Sequence, residues 1–163
     1  ATPADRGRAG WPRAVCADPR PPLDRLAGRV LDEDGRPVPH TMIEIWQANA
    51  AGRYDHPSDP ATAPLDPHFQ SFAALRADPS GAWRITTIMP GGYDSPIGHR
   101  PPHIHFDAAG RSHRLVAQMY FPEEATGNAA DMLYRSLGSE GPRSVAALDG
   151  PDRYRWNIVL IEG

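Results

Sequence analysis

The segment Pro101-Pro-His-Ile-His-Phe106 leaves the backbone little choice. Two successive prolines fix φ and disfavour the helical region for the residue before them, so the chain enters the next residues extended. In a strand, side chains two apart point the same way. His103 and His105 then share one face, and Ile104 and Phe106 share the other. Two imidazoles on one face of a rigid strand make half of a metal site. A His-x-His pair taken alone reads equally as two ordinary surface or core histidines. Its surroundings add to it. Tyr93 and Arg100 lie just upstream, and Gly91-Gly92 gives the chain room for a tight turn that swings the phenol inward. A second turn-rich stretch, Gly52-Arg-Tyr-Asp-His56, follows an apolar strand pattern.

The other apolar runs carry the same period of two. Leu26–Asp32 reads as a first strand, closed by the Asp34-Gly35 turn. Thr41–Gln47 is apolar on both sides, Ile43 and Ile45 against Met42, Glu44 and Trp46, which suggests one face in the core and the other partly covered. Phe69–Leu75 fits a strand. Ala82–Ile88 alternates Trp83, Ile85 and Thr87 against Arg84, Thr86 and Ile88. A hairpin turn at Ala108-Ala-Gly110 makes His113–Phe121 antiparallel to Pro102–Asp107, with Leu115, Ala117, Met119 and Phe121 toward the core. Arg153–Ile161 reads as a last strand, and Ala129–Leu137 is the best helical window. Residues 50–68 form a long irregular segment of the kind that usually carries function. With 19 prolines and 15 glycines to supply turns, the expectation is an all-β fold. It is a two-sheet antiparallel β-sandwich with long irregular loops and one short peripheral helix. Residues 1–25, without a period, read as an extended N-terminal arm, and 26–163 as one β-sandwich domain.

Composition removes some functions. All 17 basic residues are arginine, the formal charge is -3, and there is no basic block, so nucleic acid is not an expected partner. No apolar run reaches transmembrane length, so neither is a membrane. Cys16 is the single cysteine and forms no internal disulfide. The chain starts without Met and shows no signal-peptide core. A cytoplasmic location is the expectation, with a secreted mature form as the alternative.

Tyr54 and Tyr93, taken with the two histidines, make an unusual donor set. A free phenol loses its proton near pH ~10, so a strong Lewis acid must hold it ionised at neutral pH. Two phenolates and two neutral imidazoles suit a trivalent, oxygen-loving ion better than zinc. Ferric iron is the natural candidate.

On these residues the chain resembles the intradiol ring-cleavage dioxygenases, and among them the iron-bearing (beta) subunits of the protocatechuate 3,4-dioxygenases. The matching text is Gly28-Arg-Val-Leu-Asp-Glu-Asp-Gly-Arg-Pro-Val-Pro39, Ile43-Glu-Ile-Trp-Gln-Ala-Asn-Ala50, Gly52-Arg-Tyr54, Pro90-Gly-Gly-Tyr93, Arg100-Pro-Pro-His-Ile-His-Phe106 and Gln118-Met-Tyr-Phe121. The resemblance implies a β-sandwich holding one non-haem Fe(III) per chain. Tyr54 would be the equatorial tyrosinate and Tyr93 the axial one that leaves when substrate binds. His103 would be the equatorial imidazole and His105 the axial one. Arg100 and Gln118 match polar groups beside the substrate ring, so the implied catalytic residues are Tyr93, Arg100 and Gln118. The implied reaction inserts both atoms of O2 between the two hydroxyl-bearing carbons of a catechol and gives a cis,cis-muconate. In some relatives an iron-free partner subunit completes the pocket; a homo-oligomer is the other arrangement.

The chain departs from that pattern after Tyr93, where Asp94-Ser95 stand in place of a proline and a bulky aromatic, and the Tyr93-to-His103 gap is a few residues short. Two other readings stay open on the sequence. A cupin-like His-x-His enzyme needs a glutamate soon after the pair, but none occurs before Glu123. Transthyretin-like and carboxypeptidase-regulatory sandwiches share the opening of residues 28–39 and only bind or support other domains.

Overall fold

The computed structural model describes residues 24–161. The expected arm therefore lies outside the described residues, except that Asp24 and Arg25 already belong to the first strand. Strand β1 (Asp24–Asp32) pairs antiparallel with β4 (Ala82–Thr87). It also pairs in parallel with β10 (Arg153–Arg155) and with β11 (Ile158–Leu160). A short β9 (Ala147–Leu148) closes this sheet beside β10. The sheet is mixed, which corrects the expectation of a purely antiparallel fold. The cause is a chain that returns from the helical region to run alongside β1 in its own direction.

The second sheet is antiparallel throughout. Its order is β3 (Phe72–Arg76), β2 (Met42–Trp46), β7 (His103–Ala109) and β8 (Arg114–Tyr120). A separate two-stranded hairpin joins β5 (Tyr93–Ser95) to β6 (Gly98–Arg100). The described residues are thus mostly strand, in mixed and antiparallel sheets, with few helices.

Both large sheets contribute to one hydrophobic cluster. Leu26, Val30, Trp83, Ile85 and Ile158 come from the first, and Ile43, Ile45, Ile104, Phe106 and Met119 from the second. Trp83 and Trp156 both lie against Phe106, ring centroids 5.3 and 4.8 Å away. Burying a ring such as Phe106 stabilises by about 1.5–3 kcal/mol. The alternation read from the sequence holds: Ile104, Phe106 and Ala108 enter this cluster, which leaves His103 and His105 on the opposite face of β7.

Three elements differ in detail from expectation. The strand expected over Phe69–Leu75 starts later, at Phe72. The last strand is interrupted at Trp156 and Asn157, where the Trp156 N–H pairs with the Ala27 carbonyl. The single helix expected near Ala129–Leu137 is two short helices, Ala125–Ala130 and Met132–Ser136, broken at Asp131. Asp131 adopts an extended φ/ψ and its carboxylate accepts from the Tyr134 N–H, so it caps the second helix.

Candidate metal site

Four side chains meet above the polar face of β7. Tyr54 Oη lies 3.0 Å from His105 Nε2, 3.4 Å from His103 Nε2 and 3.3 Å from Tyr93 Oη. Tyr93 Oη lies 3.2 Å from His103 Nε2. The sequence-predicted ligands are brought together by three elements that are far apart in the chain.

Sheet register holds the two histidines. His105 sits between Trp46 of β2 and Gln118 of β8. Its ring stacks on Trp46, centroids 5.1 Å apart and planes within 3°. His103 is 1% exposed. Its Nδ1 donates to the Pro101 carbonyl at 2.7 Å, which leaves Nε2 as the lone-pair atom turned to the tyrosines. Burial depresses both imidazoles, His103 to about 4 and His105 to about 3, with the neighbouring Arg100 adding to the effect. Both are neutral donors at ordinary pH.

Loops hold the two phenols. Asn49 is buried, and its Oδ1 accepts from the Ala51 and Arg53 N–H groups while its Nδ2 donates to the Pro64 carbonyl. Its carbonyl accepts from Gly52 and from Gly91. One residue thus ties the Tyr54 loop to the Tyr93 loop. The Tyr54 N–H donates to Asp59 at 2.7 Å. Gly52 has φ +83°, and a Cβ there would stand 2.4 Å from the Gly92 carbonyl oxygen. A Cβ at Gly91 would stand 2.5 Å from the Ala50 carbonyl oxygen. The two loops touch backbone to backbone, and only glycine lets them do so.

Tyr93 is carried by the small hairpin, directly across from Arg100 in its register. Arg100 is 5% exposed. Its Nε donates to Asp131 at 2.6 Å, and its Nη2 donates to Gln118 and, at longer range, to Tyr120 and Asp131. Tyr120 Oη donates to Asp131 at 2.7 Å. Burial works against charge on Arg100, but Asp131 outweighs it and the guanidinium is held more basic than usual. Asp131 likewise resists burial through hydrogen bonds from Tyr120 and Arg100 and stays below the ordinary carboxylate range.

The predicted Arg100 and Gln118 are hydrogen-bonded to each other, and Gln118 lies across from His105 in the β7–β8 register. Asp131 and Tyr120 were missed. Asp131 was read as part of a helical window, and Tyr120 was given no role in the site. An Asp directly before Met132-Leu133 is a helix-cap signal that marks Asp131. His56, near Tyr54 in sequence, is exposed, and its ring Nδ1 pairs with Ser58.

Donors bound to one ion at about 2.0–2.2 Å lie about 3 Å from each other. The spacings of 3.0–3.4 Å from Tyr54 Oη to the other three donors, and of 3.2 Å from Tyr93 Oη to His103 Nε2, fit such an ion. Among the described residues no three His, Cys, Asp or Glu side chains form a metal-holding group. A metal at this place must therefore take the phenols. Burial, the hydrogen bond with Tyr93 and that phenol's charge all push the Tyr54 phenol far above its ordinary pKa. Only a strongly polarising cation would ionise it at neutral pH, which favours a trivalent ion over zinc.

Comparison with known proteins agrees with this chemistry. The Dioxygenase family model, Dioxygenase_C, matches residues 18–160. The protocatechuate 3,4-dioxygenase beta chain of Burkholderia cepacia is 51% identical over 102 residues, 60% of this chain and 43% of that one. A catechol 1,2-dioxygenase of Acinetobacter baylyi is 33% identical over 105 residues, 56% of this chain and 33% of that one. The chain thus spans less than half the length of these relatives. The crystal structure of 3-chlorocatechol 1,2-dioxygenase from Rhodococcus opacus superposes with a TM-score of 0.68 over 93% of this chain and 64% of that one, at 22% identity, which speaks to the fold alone. On the family match, which covers most of its length, the chain belongs to the intradiol ring-cleavage dioxygenase family.

Proposed function

We propose that this chain is the catalytic unit of a non-haem Fe(III) dioxygenase that opens a small catechol between its two hydroxyl-bearing carbons. The observation that carries the reading is the convergence of two phenol oxygens and two imidazole nitrogens: Tyr54 Oη lies 3.0–3.4 Å from the other three donors, and Tyr93 Oη lies 3.2 Å from His103 Nε2. Tyr54, Tyr93, His103 and His105 would hold the ion. When bound, ferric iron supplies the Lewis acidity that draws electron density from the catecholate and makes a ring carbon reactive toward O2. The balance is simple: catechol plus O2 gives cis,cis-muconate, with no other reductant or oxidant.

The side chains divide the remaining work. His103 and His105, both neutral, stay in place through the Pro101 carbonyl and the Trp46 stack. Tyr54 stays through the Asn49 loop. Tyr93, at the base of a hairpin outside both large sheets, is the phenol free to swing away, and its Oη takes one substrate hydroxyl proton as it leaves. Arg100 places a fixed positive charge where negative charge develops on the ring. Gln118 holds Arg100 from β8. The two large sheets, sharing one core, are read as the two layers of a sandwich that presents this face. The name of one relative, a beta chain, implies a further chain, and we extend that to a partner subunit or a second copy here. A binding-only sandwich gives no reason for four donors to converge.

The test is iron content, visible spectrum and a panel assay with catechol, hydroxyquinol and protocatechuate. The expected result is about one iron per chain, a tyrosinate-to-iron charge-transfer colour, and a muconate product from one of the panel. Tyr93→Phe should keep iron, shift the colour and slow turnover. A colourless protein that binds zinc in preference to iron and cleaves no catechol overturns the reading.

A further inference from the structure

Asp131 has no part in the reading above, yet it is among the most buried charged groups of the protein, at 1% exposure. A buried carboxylate needs partners, and it has four: Arg100 Nε at 2.6 Å, Arg100 Nη2 at 3.4 Å, Tyr120 Oη at 2.7 Å and the Tyr134 N–H at 3.1 Å. The helical region breaks at this residue. The break interrupts the helical course there and leaves the carboxylate against β6 and β8.

The consequence falls on Arg100. A guanidinium has five N–H donors in a rigid plane. Here Nε is taken by Asp131, and Nη2 by Gln118, Tyr120 and Asp131. Nη1 has no hydrogen-bond partner among the described residues. Two nitrogens are tied back into the protein and one is left over. Arg100 is also close enough to the donor cluster for its charge to act on Tyr54, His103 and His105.

We infer that Asp131 is the positioning residue of the site: with Tyr120 and Gln118 it locks the Arg100 guanidinium so that Nη1 is the group presented to the substrate ring. The inference rests on the proposed ring-cleaving activity. It assigns the substrate contact to one atom and gives the break between the two helices a purpose. It also separates two roles within one ion pair. Asp131 acts through Arg100 and touches neither substrate nor metal.

The experiment is Asp131→Asn, alone and combined with Arg100→Gln, in the iron-loaded protein. Asn is as good a helix cap as Asp, so the second helix keeps its start while the countercharge is lost. The expected result is a fall in kcat of about 10- to 100-fold, as for other outer-shell partners, with KM, iron content and the visible spectrum of the substrate-free protein little changed. In the Arg100→Gln background the same change should cost nothing further, because a positioning residue has nothing left to position. Tyr120→Phe, which removes one hydrogen bond to Asp131, should lower kcat less than Asp131→Asn does. The thermal midpoint of the metal-free protein provides a readout independent of activity: it separates simple unfolding from lost positioning. Full kcat in Asp131→Asn, or losses that add in the double variant, overturns the inference. If the wild-type protein itself cleaves no catechol, it is the proposed activity that has failed.

Discussion

The two histidines and the two tyrosines reach the same point by different means. His103 and His105 are fixed by β7, whose register with β2 and β8 leaves no freedom to slip without exposing Ile104 and Phe106. Tyr54 sits on irregular backbone and Tyr93 at the start of the small β5–β6 hairpin, both tied by the buried Asn49 and by glycine contacts between the segments that carry them. The strand-borne half inherits its precision from the hydrophobic core. The loop-borne half must build its own from polar contacts. The first should tolerate surface change and fail only with the sheet. The second should fail locally, with the sheet intact.

The largest expected effect breaks the strand-borne half. His105→Ala removes a donor that no neighbour can replace, and metal affinity should fall by more than the roughly 10- to 100-fold typical of an outer-shell loss. Iron per purified chain by elemental analysis checks this. Retention of iron would mean that the cluster is held by its own hydrogen bonds and not by metal binding.

Gly52→Ala sharpens the contrast. The added Cβ meets the Gly92 carbonyl oxygen at 2.4 Å, on a residue with φ +83°. The cost should be about 1–3 kcal/mol, read by denaturant unfolding. Iron occupancy should fall with it, because the clash separates the Tyr54 and Tyr93 loops. An equal loss of stability with full iron occupancy would show that the loops are not what places the phenols.

The smallest expected effect is a pH dependence of the metal-free protein. His103 and His105 titrate near 4 and 3 when folded, against an ordinary value of about 6.5. Below about 6.5 the unfolded chain binds protons that the folded chain refuses, so stability should fall as the pH drops from about 6.5 toward 4. Above that window neither group contributes. His105→Asn should flatten the slope, whereas Asn49→Ala should lower the whole curve without changing its shape. Thermal midpoints across that range distinguish the two.

What the sequence made legible follows the same division. The period of two in Pro102–Asp107 and in Ala82–Ile88 was enough to place His103 beside His105 and Trp83 in the core. Core burial enforces that pattern, so it is written locally. Tyr54 and Tyr93 had no such period; turn residues and donor chemistry marked them as candidates and the family resemblance assigned their roles, because the contacts that aim them join residues from separate segments of the chain. The parallel pairing of β1 with β10 and β11 was invisible for the same reason: strand direction within a sheet leaves no mark on alternation. Asp131 was hidden inside an otherwise helical stretch, its carboxylate answering to Arg100, 31 positions earlier.

The hairpin that faces Tyr93 toward Arg100 gives the active end of the molecule a modular appendage. Its register fixes these two at the base, while Asp94–His99 form a solvent-exposed tip with the permissive Gly98 at φ +112°. Residues can be added or removed there in pairs, one per strand, without unseating either base residue. A change of length at this tip is therefore separable from the placement of Tyr93 and Arg100.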